Sequence, residues 1–109
     1  MHVSKIYFKL FKIMDIRDAL LKAKDSQLVK SKRNKFLEAF NYSFNSLEGE
    51  YKEIFSKTYL EKAYQFWWLD YYCKSSYYRK RIIAVTSFVH LFELVHENIN
   101  DYSFNSVIR

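Results

Sequence analysis

The sequence predicts an all-α fold, a compact bundle of four main helices forming one domain over residues 1–109. Three observations carry this. Proline is absent and Gly49 is the only glycine, whereas an all-β domain needs the frequent turns those residues make. Half the chain is hydrophobic and a fifth is aromatic, enough apolar surface to offset the entropy of ordering, so disorder is excluded. Apolar side chains recur at helical spacing through most of the length.

Residues 1–14 read two ways. Ile6, Phe8 and Leu10 alternate as in a strand, while Lys5, Lys9 and Lys12 share one helical face, and the balance tips to a helical or extended N-terminal arm. Asp15 is the expected N-cap of a first helix over about 16–25, with Ile16, Leu20 and Ala23 on one side.

A second helix is expected over about 27–46. Val29, Phe36, Leu37, Phe40, Phe44 and Leu47 cluster on one side of a helical wheel, with Lys35, Glu38, Asn41, Tyr42 and Asn45 opposite. Gly49 marks the turn that ends it. A third helix is expected over about 50–72, with Phe55, Tyr59, Ala63, Phe66 and Trp67 inward and Glu53–Lys57 as a supporting pair on the polar side. On that wheel Trp68 and Tyr72 fall on the polar, exposed face. Asp70 falls among apolar positions and asks for a partner such as Arg33.

Ser75 and Ser76 are the expected break before a fourth helix over about 77–98. Ile82, Val85, Val89, Phe92, His96 and Ile99 keep alternating spacings of three and four, and Ile83, Phe88, Leu91, Leu94 and Val95 widen that seam. A helix apolar nearly all round is buried, so this one belongs in the middle of the bundle. The hexapeptide 41–46 returns in near-identical form at 101–106. Its flanks do not align, which favours coincidence over a duplicated hairpin.

Catalytic and metal chemistry find little footing. Glu93 and His96 match half of a helical di-iron motif, but that site needs a second such pair and two more glutamates, so no metal and no cofactor are expected. His90 and Glu93 read instead as a surface hydrogen-bonded pair. A helical ribonuclease motif of Arg and His fails because eight residues separate Arg81 from His90. One glycine cannot build a phosphate-cradling loop. A catalytic Cys73 would need a neighbouring histidine or a lowered thiol pKa, neither legible in sequence. No enzyme is expected.

The richest surface is the stretch Tyr71, Tyr72, Lys74, Tyr77, Tyr78, Arg79, Lys80 and Arg81, joined by Trp68. Tyrosine, tryptophan and arginine dominate protein interfaces, and the same interleaving of rings and cations suits unpaired nucleic acid. Lys30, Lys32, Arg33 and Lys35 form a secondary basic patch, and the net charge is +6. The expectation is a small non-enzymatic binding protein that occludes a macromolecular partner, as immunity or anti-defence inhibitors of bacteria or phages do. The chain's abundance of Phe, Tyr, Ile, Asn and Lys fits AT-rich coding. A nucleic-acid-binding module is the alternative. Membrane contact through Lys5, Lys9 and Lys12 is disfavoured, and a homodimer stays open. No apolar run reaches the ~20 residues of a membrane span, the N-terminus lacks a signal peptide's continuous apolar stretch, and Cys73 has no partner for an internal disulfide. A cytoplasmic location is the corresponding expectation.

Overall fold

A computed structural model describes residues 3–23 and 27–96. Four α-helices form the bundle: α1 over Val3–Lys22, α2 over Gln27–Asn45, α3 over Gly49–Phe55 and α4 over Lys74–Val95. Among the described residues there is no strand. Helix α4 packs against α1, α2 and α3, and α1 also packs against α2. The fourth helix is central, as its wide apolar seam requires.

The first helix begins far earlier than expected. Ile6, Leu10, Ile13, Ile16 and Leu20 are all buried along one stripe, and that stripe at spacings of three and four outweighs a three-residue alternation. Asp15 is therefore no N-cap. It stands exposed in mid-helix.

Helix α2 follows its wheel closely. Phe36, Ala39 and Phe40 are buried, and Lys35, Glu38, Asn41, Tyr42 and Asn45 are exposed. Phe36 meets Phe92 edge to face (5.1 Å), and Phe40 meets Phe88 likewise (5.0 Å). Phe55 approaches Phe88 within 4.4 Å, so three helices share one column of rings. Such pairs add about 0.5–1.5 kcal/mol each beyond area burial. Among the described residues the one buried polar side chain, Ser43, is satisfied by donating to the Ala39 carbonyl at 2.8 Å.

The expected third helix does not run through. Gly49 opens α3 rather than closing α2, in a left-handed conformation (φ +37°) that glycine adopts freely. After Phe55 the ladder widens into a π-helical turn, Ser56–Leu60. The Glu61 amide reaches back to the Ser56 carbonyl (2.8 Å), and the Ala63 amide to Lys57 (2.9 Å). The chain then leaves helical geometry at Lys62, a non-glycine residue at φ +50°, and re-forms only as a short 3₁₀ turn, Trp67–Asp70. Each wide turn consumes an extra residue, so the apolar face of α3 cannot extend past Leu60 in register.

Two expectations about α4 also change. It starts at Lys74 with Cys73 at the N-cap, so Ser75 and Ser76 lie inside its first turn. Ile83, Leu94 and Val95 are exposed. α4 is thus buried on three sides, not all round. Ile99 and the second copy of the repeated hexapeptide lie outside the described residues.

Candidate binding surface

The segment from Ser56 to Cys73 folds over the N-terminal half of α4 and builds a second, smaller core of Ile54, Trp68 and Tyr77, with Trp67 and Tyr72 packed against it. Trp68, expected on the exposed face, is only 4% exposed. It stacks face to face on Tyr77 (4.5 Å, 5°), and its indole N–H donates to the Gln65 carbonyl at 3.0 Å. The break in the helix is the cause: the chain leaves helical geometry between Glu61 and Phe66, so the wheel of an unbroken helix no longer sets which way Trp68 faces. Tyr77, from the expected binding loop, is equally buried, and its hydroxyl pairs with Thr58 Oγ1 at 3.0 Å.

Outside that core the segment displays its remaining rings. Tyr64, Phe66, Leu69, Tyr71 and Tyr78 are all exposed. Two ring pairs touch along this ridge: Tyr64 lies edge to face on Phe66 (5.6 Å) and Trp67 tilts against Tyr71 (6.3 Å), with Lys57 Nζ over the rings of both Trp67 and Tyr71 (5.0 and 5.7 Å). Tyr72 is half-buried, and burial together with the Glu50 and Glu53 carboxylates raises its phenol above the ordinary range.

The basic residues divide. Lys74 and Arg79 are exposed on the first turns of α4. Lys80 pairs with Glu50 and lies 5.7 Å from the Tyr72 ring. Its hydrogen bond to Glu50 raises its pKa. Arg81 is half-buried among Tyr7, Tyr77 and Tyr78, 5.6, 5.6 and 4.7 Å from their ring centres, and donates from Nε to Tyr7 Oη at 3.1 Å. Burial acts against its charge, and the Tyr7 and Tyr59 phenols act the other way. The Tyr59 phenol is itself pushed well above its ordinary value, chiefly by burial.

Between the 58–68 stretch and α4 lies an open cavity of about 470 Å³, walled by Lys62, Phe66, Trp67, Trp68, Tyr78 and Arg81 among others. A second cavity, about 370 Å³, lies on the other side of α4 beside His90, Ile83 and Tyr51. The basic patch on α2 lines neither: Lys30 and Lys35 are exposed, and Lys32 and Arg33 are half-buried.

Several expected pairings are replaced. Asp70 is exposed at the end of the 3₁₀ turn, where water solvates it, so it needs no Arg33 partner. Glu93 bonds Lys9 of α1 at 2.8 Å rather than His90. That bond ties down one of the three lysines of the former arm. His96 stacks on Phe92 at 5.2 Å, as a core histidine does. Among the described residues, no group of three His, Cys, Asp or Glu side chains could hold a metal, and no helix is long and apolar enough to cross a membrane.

Cys73 differs from its sequence reading. It is exposed at the N-cap of α4, and its thiol is held below the ordinary value. The backbone N–H of Ser76 contributes most, followed by the Ser75 hydroxyl 3.7 Å away.

Tyr7, Thr58, Lys62, Tyr64, Gln65, Phe66, Trp67 and Leu69 join the surface without having been expected there. No sequence signal marks the π turn that exposes them. The lone hint is the density of rings from Tyr59 to Tyr78, too high for one helical face. No family model matches the chain, and no curated protein or solved structure matches it at a significant level.

Proposed function

We propose that this chain is a non-enzymatic binding protein that docks a protein partner through the aromatic ridge of residues 64–78. The observation that carries this reading is the exposure of Tyr64, Phe66, Leu69, Tyr71 and Tyr78 in one short stretch, held on a buried Trp68–Tyr77 stack. Large linked apolar surfaces on small domains mark interaction sites. Tyrosines anchored on a rigid base supply contact area at low entropic cost. Occlusion of the partner, in the manner of an immunity or anti-defence inhibitor, is the mode of action we attach to this surface. An exposed, unpaired Cys73 suits the reducing cytoplasm.

A nucleic-acid partner is less favoured. Of the four cations expected to face phosphates, Lys80 is spent on Glu50, and Arg81 is half-buried in a cavity wall, out of line with a polymer backbone crossing the exposed face. That leaves Lys74 and Arg79 on the exposed face. Phosphate contacts supply most of the non-specific affinity for nucleic acid, and two provide little.

The deciding experiment is affinity purification of the tagged chain from its host, with nuclease, alongside the triple variant Tyr64→Ser, Leu69→Ser, Tyr71→Ser. A stoichiometric protein should be retained by the parent and lost by the variant, with helical circular dichroism unchanged. Equal retention by both would move the interface elsewhere. Release by nuclease would favour nucleic acid.

A further inference from the structure

The cavity beneath the ridge has chemistry that a protein-docking face does not require. Arg81 brings a guanidinium into a half-buried position, and among the described residues no carboxylate meets it. Among the described residues one of its five donors is used, by Tyr7 Oη. The acidic side chains of the neighbouring segment are turned to other tasks, Glu61 accepting from Ser56 Oγ (2.7 Å) and Glu50 from Lys80. Tyrosine faces offset part of the cost of burying such a cation but leave the edge of the guanidinium, where its fork of donors lies, without an anion.

The backbone around the cavity breaks local rules at the same place. The π turn Ser56–Leu60 and the left-handed Lys62 both stand at its edge, and Lys62 and Thr58 line it. Wide helical turns and left-handed non-glycine residues persist where a site needs them. The walls are flat rings: Phe66, Trp67, Trp68 and Tyr78. The volume, about 470 Å³, falls within the roughly 300–1,000 Å³ range of small-ligand sites.

We propose that this cavity binds a small planar aromatic anion, a ring carrying a phosphate or a carboxylate, with the Arg81 guanidinium receiving the anionic group and the indole and phenol walls receiving the ring. The site does not depend on the docking reading. A small ligand can fill the cavity whether or not a partner covers the ridge.

Isothermal titration calorimetry on the full chain tests it with four probes. AMP and indole-3-acetate each carry a ring and an anion, as phosphate or as carboxylate. Adenosine carries a ring alone, and inorganic phosphate the anion alone. At least one of the first two should bind saturably, and about tenfold or more tighter than adenosine or phosphate, the loss expected on removing one charge-assisted contact. Which of the two binds identifies the combination of ring and anion that the cavity accepts. Arg81→Gln should weaken binding by a similar factor, Arg81→Lys by less, and Arg79→Gln, which alters an exposed neighbour, not at all. Arg81 also contributes to packing, so Phe66→Ala, at the exposed rim, serves as a second variant and should weaken binding without unfolding the chain. Absence of saturable binding by both ring-bearing anions would overturn the proposal, as would equal binding of phosphate alone or affinity unchanged in both Arg81→Gln and Phe66→Ala.

Discussion

The two cores of this molecule are built on different terms. The larger one, shared by α1, α2, α3 and α4, follows helical periodicity: Leu10, Ile13, Phe36, Phe40, Val85, Phe88 and Phe92 are sealed from solvent at positions their own helices dictate. The smaller one, around Ile54, Trp68 and Tyr77, sits under a segment with one wide turn, one left-handed lysine and one 3₁₀ turn. It is held by side chain to backbone bonds and ring stacking rather than by a ladder. The contrast teaches that a ring-rich chain can fold irregular backbone if two or three large rings bury together beneath it. It also shows where the molecule departs from its simplest fold, and that is where the candidate site lies.

Truncation separates the two cores most sharply. Phe88→Ala opens the column of Phe40, Phe55, Phe88 and Phe92 and should cost about 3–5 kcal/mol, read as a lower urea midpoint for the whole protein. Trp68→Ala should cost less, about 3 kcal/mol, because the site it leaves lies near solvent and can collapse. In that variant, hydrogen exchange should quicken in residues 61–72 before it quickens in α4. Simultaneous loss of protection in both would mean that the two cores fold as one unit.

Alkaline pH probes the junction between them. Tyr59 packs against the larger core beside the π turn, and its phenol holds its proton more tightly folded than unfolded. The unfolded chain therefore binds fewer protons above about pH 10, and stability should fall as pH rises through that region. Tyr59→Phe should flatten part of that decline in urea midpoints measured at pH 9 and 11. An identical slope in both proteins would show that other tyrosines carry it.

A smaller effect of opposite sign belongs to Lys62. Lys62→Gly relieves a left-handed backbone that costs a non-glycine residue ~1–2 kcal/mol, while glycine's extra freedom when unfolded returns part of that. Thermal melting should show a net gain of about 0.5 kcal/mol. The smallest effect is chemical: iodoacetamide should modify Cys73 at pH 7 faster than it modifies a free cysteine peptide, because its thiol is lowered. Equal rates would place no thiolate-stabilising donors at the start of α4.

Legibility in the sequence tracks the same divide. The stripes of α2 and the seam of α4 could be read because one helical period runs through each of them, and Phe36, Phe40, Val85, Val89 and Phe92 are buried as that period requires. The helicity of residues 3–14 was partly legible, since Ile6, Leu10 and Ile13 keep the period, but the lysines and a brief alternation masked it. Of the expected contact residues, Tyr71, Lys74, Tyr78 and Arg79 are exposed, while Trp68 and Tyr77 became the hidden base and Lys80 and Arg81 found partners. Arg81 depends on Tyr7, seventy-four residues away. No local spacing encodes that meeting.

By itself, then, the sequence determined the all-α class, the central place of the last helix and the concentration of rings and cations around residues 64–81. Composition and periodicity act through the hydrophobic effect, which is non-directional and depends on how much apolar surface each face offers. Tertiary structure decided which rings are sealed and which displayed, where α3 breaks, and that Arg81 faces a cavity without an acid. Those outcomes hang on where the backbone leaves helical geometry after the π turn and on long-range contacts of Trp68, Tyr77 and Tyr7, whose energies exist only once the helices have packed.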